Sequence, residues 1–246
     1  MTTFVLVHPA WFGGWCWRDV ARSLRSAGHD VWTPTLTGLG ERAHLATPAV
    51  TLNTHVNDII GALEAEELHD VTLVGSSSAG TVITAVAGQR PERVARLVYL
   101  DAFVPSDGQC TRDLLPPDRA QALDRLVQSE GDGWRLPRFA PPSWETILRE
   151  IWRVTDDAKF RWVLPRLRPT PYAHFTEPVH LPNSGTGDGI RRVYVRCVNS
   201  TPSPFDRFAA MAQSSPAWSY RAMPTFHVPF ITDPGDVVEV LLESAT

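Results

Sequence analysis

Short, continuously apolar runs, each followed by a stretch with helical spacing, constrain this chain more than any other feature. Thr3–His8 (TFVLVH), 71–75 (VTLVG) and 95–103 (ARLVYLDAF) are β-branched or apolar without alternation. That pattern belongs to strands buried on both faces, as in a parallel sheet. Between them, 17–28 (WRDVARSLRSAG), 56–68 (VNDIIGALEAEEL) and 80–91 (GTVITAVAGQRP) read as helices, the first stopped by Gly28 and the last by Pro91. Residues 29–36 (HDVWTPTL) supply a further strand ahead of a Gly-rich loop at 37–45. This rhythm predicts an α/β fold with helices on both faces of a mostly parallel sheet of about six strands.

The rhythm stops at 105–188, which holds 11 of the 21 prolines and the tryptophans 134, 144, 152 and 162, with a helical piece at 145–154. It resumes with a strand at 191–198, a helix from about Pro204 through Gln213, a last strand near 218–227 and a closing helix at 235–244. The expected organisation is a core formed by 1–104 and 189–246, interrupted by a helical cap insertion at 105–188.

At 246 residues the chain can bury a full core. Its net charge of −4 gives no basic footprint for nucleic acid, and no run approaches a membrane span. Cys16, Cys110 and Cys197 are an odd number, far apart. They form neither a disulfide framework nor a metal-ligand spacing, which suits a reducing compartment. The N-terminus lacks the basic region of a signal peptide. The expectation is a cytoplasmic protein, monomer or homodimer, acting on a small molecule without metal, cofactor, nucleic acid or membrane.

Residues 74–80 (VGSSSAG) join a buried strand to an apolar helix. A serine on such a sharp turn is held in a strained conformation with its hydroxyl exposed, and small residues must flank it at two positions on either side. Gly75 and Ala79 do so for Ser77, the best nucleophile; Ser78 takes that place only if the turn shifts by one. A Gly/Ser turn that merely caps the next helix is the bland alternative. A nucleophilic serine needs a general base, and His227, just past the last strand, would share the crevice at the carboxyl ends of the strands. His8, at the end of the first strand, is expected to shape the first loop, and His29, His69 and His174 to be surface or loop residues. Trp15 and Trp17 read as core packing. Glu41, Arg42 and His44 either reach the crevice or, as the preferred reading, brace their loop by an ion pair.

Residues 3–17 (TFVLVHPAWFGGWCW) resemble the opening of the α/β-hydrolase superfamily, in the branch of small esterases and hydroxynitrile lyases. The likeness continues through 35–45, 71–80, 91–109 and the C-terminal histidine. It implies an α/β-hydrolase fold and an oxyanion hole from the backbone N–H groups of Ala10 and Ser78. Against the family pattern, Pro9 stands for a glycine, Phe12 and Ser76 for histidines, Ser78 and Ala79 for a bulkier residue and a glycine, and Phe226 for a glycine. Phe12, Ser76 and Phe226 are therefore expected around the substrate pocket, and Trp11, with some of the cap aromatics, is expected to line it as an apolar wall. Many relatives carry the acid after the strand at 192–197, where Asn199 and Ser200 bear no charge. Asp206 there reads as part of a helix start. Other relatives place the acid where Asp101 stands, so Asp101, Asp206 or neither completes the triad. The leading reading is a cofactor-independent serine hydrolase of apolar or aromatic carboxylic esters. Next comes a lyase or cyclase of a polyketide-like natural product with His227 as acid/base, and then a non-catalytic ligand-binding protein.

Overall fold

The computed structural model describes residues 1–137, 143–182, 189–200 and 202–245. The parts of the expected insertion at 138–142 and 183–188 lie outside the described residues. In chain order the strands are β1 (Thr3–Val7), β2 (Asp30–Trp32), β3 (Val71–Ser76), β4 (Val94–Leu100), β5 (Arg135–Leu136), β6 (Thr170–Pro171), β7 (Arg191–Cys197) and β8 (Trp218–Met223). Six of them form one sheet in the order β2-β1-β3-β4-β7-β8, with every neighbouring pair parallel. The short β5 and β6 pair antiparallel with each other.

The helices are α1 (Arg18–Ser26), α2 (Leu52–Ala65), α3 (Ala79–Gln89), α4 (Pro117–Glu130), α5 (Ser143–Thr146), α6 (Asp157–Val163), α7 (Ala173–Thr176), α8 (Asp206–Ser214), α9 (Pro229–Thr232) and α10 (Pro234–Ala245). Strand alternation divides the core between two faces. Val5, Val7, Leu73 and Leu97 pack against α2, α3 and α8. Phe4, Leu6, Val74 and Val98 pack against α1, α9 and α10. Each fully buried large apolar side chain contributes about 1.5–3 kcal/mol, so both layers hold the sheet between the helices.

Several element boundaries differ from the sequence expectation for local reasons. β2 ends at Trp32 rather than 36, two residues before Pro34, which has no N–H for a ladder. The last strand stops at Met223, ahead of Pro224. α2 begins at Leu52, four residues early, because Thr51 and Thr54 cap each other: Thr54 N–H donates to Thr51 Oγ1 at 3.4 Å and Thr51 N–H to Thr54 Oγ1 at 3.1 Å. The helix expected at 145–154 is the single turn of α5 followed by a π-helical turn over Ile147–Ile151. Trp17 is fully buried, while Trp15 is half-buried against Trp162 and Phe12.

The strand order reverses direction between β1 and β3, where the chain first builds outward to β2 and then crosses to the other side. Ligands of open α/β sheets bind at such a switch point, outside the carboxyl ends of the strands.

Candidate active site

Three side-by-side strands end in residues with left-handed backbone. Trp11 lies beyond β1 at φ 67°, Ser77 follows β3 at φ 52°, and Asp101 follows β4 at φ 45°. For a non-glycine residue this conformation costs about 1–2 kcal/mol, so the surroundings must enforce it. At Ser77 they do. Its N–H donates to Leu100 O at 3.3 Å, and its carbonyl accepts from Gly80 N–H and Phe103 N–H, each at 3.1 Å. The turn is tight enough to exclude side chains on both flanks. A Cβ on Gly75 would lie 2.8 Å from Ala79 O, and one on Gly80 only 2.0 Å from Phe103 O. Glycine at 75, two residues before Ser77, therefore has a steric cause, and so has Gly80 at the start of α3.

His227 lies in the turn after β8, one residue before the segment that enters α9. Its Nδ1 is 2.6 Å from Asp101 Oδ2. A carboxylate only accepts, so Nδ1 carries the proton and Nε2 is left bare to take another. The second Asp101 oxygen accepts from Arg196 Nη1 at 2.9 Å and from Cys197 N–H at 3.3 Å. Asp101 is fully buried and Arg196 nearly so, at 2% side-chain exposure. Arg196 also holds Asp206 Oδ1 at 2.6 Å and Ser200 O at 2.6 Å. Burial opposes its charge, but the Asp101 and Asp206 carboxylates outweigh that and hold its pKa above the usual arginine value. Asp206 also accepts from Ser203 N–H at 2.8 Å, at the start of α8. The geometry thus sets Asp101 on the histidine and Asp206 on Arg196.

The N–H of Ala10 donates to Ser78 Oγ at 3.0 Å. The N–H of Ser78 stands at the amino end of α3, where the helix dipole favours negative charge. His8 fixes the β1 loop as expected: Nδ1–H donates to Pro9 O at 2.9 Å and Nε2 accepts from Leu36 N–H at 3.0 Å. Burial pushes its pKa down to about 4, so it stays neutral.

Ser77, Ser78, Ala10 and His227 line one cavity of about 400 Å³, walled mainly by apolar and aromatic residues such as Phe103, Leu123, Trp152, Phe175 and Phe205. Of the four residues expected around the pocket, Trp11 and Phe226 line it. Phe12 and Ser76 do not. The turn at Trp11 sends Phe12 into the core against Trp152 and Phe230, where it is 1% exposed. Ser76, the last residue of β3, alternates away from the crevice and is fully buried with its hydroxyl unpartnered. Asn199 and Ser200 are in the lining, as are Arg119 and Glu150, which sequence reasoning missed.

His174 also differs from expectation. It is buried, with Nδ1 2.9 Å from His55 Nδ1. His55 Nε2 faces Thr37 O at 2.8 Å and must donate, so His174 Nδ1–H donates to His55. Burial lowers the pKa of both. Arg42 does brace its loop, through Asp58 at 3.1 Å and Thr35 O at 2.8 Å rather than through Glu41. His29 is half-buried and His69 exposed. Among the described residues, no group of three or more His, Cys, Asp or Glu is placed to hold a metal ion, and no helix is long and apolar enough to cross a membrane.

The family model described as "Alpha/beta hydrolase family" matches residues 4–240. A carbendazim hydrolyzing esterase from Nocardioides sp. (strain SG-4G) is 42% identical over 246 residues, covering 98% of each chain. Methylesterase 18 of Arabidopsis thaliana is 26% identical over 259 residues, covering 99% of this chain and 97% of its own. Among solved structures, an extracellular alpha/beta-hydrolase from a Paenibacillus species superposes with a TM-score of 0.86 over 99% of both chains. At 23% identity, that likeness speaks for the fold alone.

Proposed function

The chain belongs to the alpha/beta hydrolase family and is a carboxylic ester hydrolase, and we propose that Ser77, His227 and Asp101 carry out the hydrolysis without a cofactor. The observation that carries this reading is the 2.6 Å contact between buried Asp101 and His227, which lines the same cavity as the strained Ser77. His227 Nε2 takes the proton as Ser77 Oγ attacks the ester carbonyl. The carbonyl π electrons move to oxygen, and the oxyanion accepts from the N–H groups of Ala10 and Ser78. Collapse expels the alkoxide, which leaves with the proton held by His227. Water, deprotonated by the same nitrogen, attacks the acyl-Ser77 ester and releases the acid and the free serine. Asp101 stays ionised throughout and stabilises the imidazolium.

The aromatic walls select apolar or aromatic esters. Core residues 1–104 and 189–246 supply the chemistry, and the 105–188 segment, as a helical cap, supplies Leu123, Trp152 and Phe175 to the cavity wall. Carbendazim belongs in the substrate panel because of the 42% identical relative. The test is turnover of carbendazim and of alkyl and aryl esters of graded size by the protein and by Ser77→Ala. Hydrolysis lost in the variant is the expected result, and undiminished hydrolysis overturns the reading.

One observation favours a second reading. Ser78 Oγ occupies the Ala10 N–H that an oxyanion would use. If that contact persists with substrate bound, non-hydrolytic acid/base chemistry by His227 on a lyase or cyclase substrate fits better. Conversion of a non-ester substrate together with inactivity on every ester would establish it.

A further inference from the structure

The amino ends of β4, β7 and β8 border a second cavity, of about 350 Å³, at the opposite end of the sheet from Ser77. Strands of this length span about 20 Å, so the two cavities are separate. Arg96, Arg191, Arg192 and Arg221 line it, along with Trp218 and Glu243. Arg96 and Arg191 are register partners across β4 and β7, an arrangement that places like charges directly opposite and destabilises the pairing.

Arg96 is the unusual member. It is only 3% exposed, yet it reaches no more than Thr72 Oγ1, with Nη1 at 3.5 Å. Its Nη2 is buried with no hydrogen-bond partner among the described residues. Burial, and then the repulsion of Arg191, lowers its pKa, but a guanidinium remains protonated at neutral pH. Among the described residues Arg96 has no ion pair, and a buried cation without a counter-charge is strongly unfavourable. Glu243, in the same lining, is 3.6 Å from Arg221, and both are about half exposed.

We propose that this cavity is an anion site, and that its ligand is a phosphate-type oxyanion, free or carried on a small molecule, held by Arg96, Arg191 and Arg221. Guanidinium groups converging from three strands match the several acceptor oxygens of such an anion. The cavity exceeds the size of one oxyanion and leaves room for an attached group.

Thermal unfolding of the full chain tests this with inorganic phosphate, glycerol phosphate and chloride at matched ionic strength. A ligand of the folded state raises the midpoint in a saturable manner. The expected result is saturable stabilisation by phosphate and none by chloride, abolished in Arg96→Gln. Arg221→Gln, at an exposed position that leaves folding intact, should weaken phosphate about tenfold. Tighter binding of glycerol phosphate than of phosphate identifies a phosphorylated small molecule as the ligand; equal binding identifies the free oxyanion. Identical responses to phosphate and chloride overturn the proposal. So does a full phosphate response in both arginine variants, or its loss in Ser77→Ala, which would place the anion in the catalytic cavity.

Discussion

Replacing Asp101 by asparagine exchanges one carboxylate oxygen for an NH2 group, and the surroundings decide which oxygen is lost. The Oδ1 position receives two donors, Arg196 Nη1 at 2.9 Å and Cys197 N–H at 3.3 Å. An NH2 there would face both, so the amide oxygen must stay at that position. The NH2 then faces His227 Nδ1, where Oδ2 now lies at 2.6 Å. It donates to that nitrogen, so Nδ1 loses its proton and Nε2 carries it. A histidine in that tautomer cannot accept the serine proton. Holding a catalytic histidine in the wrong tautomer costs about 10⁴ in kcat, or about 5.5 kcal/mol at about 1.4 kcal/mol per tenfold. Folding is affected less. Arg196 loses a buried counter-charge, a change worth at most about 3–5 kcal/mol, but it keeps Asp206. The assay is kcat and KM on an activated aryl ester, with Asp206→Asn in parallel. Asp101→Asn should lose about four orders of magnitude in kcat with KM little altered. Asp206→Asn should stay within about tenfold, since it acts only through Arg196. An Asp101→Asn enzyme retaining a tenth of the activity, or an Asp206→Asn enzyme falling as far, refutes the assignment of the acid.

Gly80→Ala should lower the melting temperature by about 6–12 °C, because its Cβ would stand 2.0 Å from Phe103 O and the overpacking costs about 3 kcal/mol. Gly28→Ala, at φ 84° with open space around it, should cost only about 1 kcal/mol, visible in the same melt. Stability should also fall on acidification. His8, lowered from 6.5 to about 4, is neutral in the fold and protonates on unfolding at acidic pH. Its contribution is therefore complete above pH 6.5 and is lost down to about pH 4, a change of about 3 kcal/mol. His55 and His174 shift in the same direction. Equal melting temperatures at pH 7 and pH 5 would contradict this.

The sheet was legible because buried parallel strands need continuous apolar runs: β1, β3 and β7 fall within a residue of those runs, and β4 stops three residues short of its run, at Leu100. The sharp turn at Ser77 was legible for a steric reason, since a Cβ on Gly75 would lie 2.8 Å from Ala79 O. The choice between Asp101 and Asp206 was not, because both lie near strand ends and only the third dimension shows which faces His227. Arg196 was missed, although a charged residue within the run YVRC of a buried strand signals a counter-charge nearby. His174 was misread because its partner, His55, lies 119 residues away and the segment around it has no periodicity. Phe12 and Ser76 were misplaced because sequence proximity to the loop and the nucleophile says nothing about which way a side chain leaves the backbone.

Ser77, and neither of its serine neighbours, is the residue proposed to form the covalent acyl intermediate. Labelling the protein with an aryl phosphonate and locating the adduct by peptide mass spectrometry tests it directly. One adduct is expected, on Ser77, with loss of activity in proportion to labelling and no adduct in Ser77→Ala. An adduct on Ser76 or Ser78, or full ester turnover by an enzyme that takes no label, would contradict it.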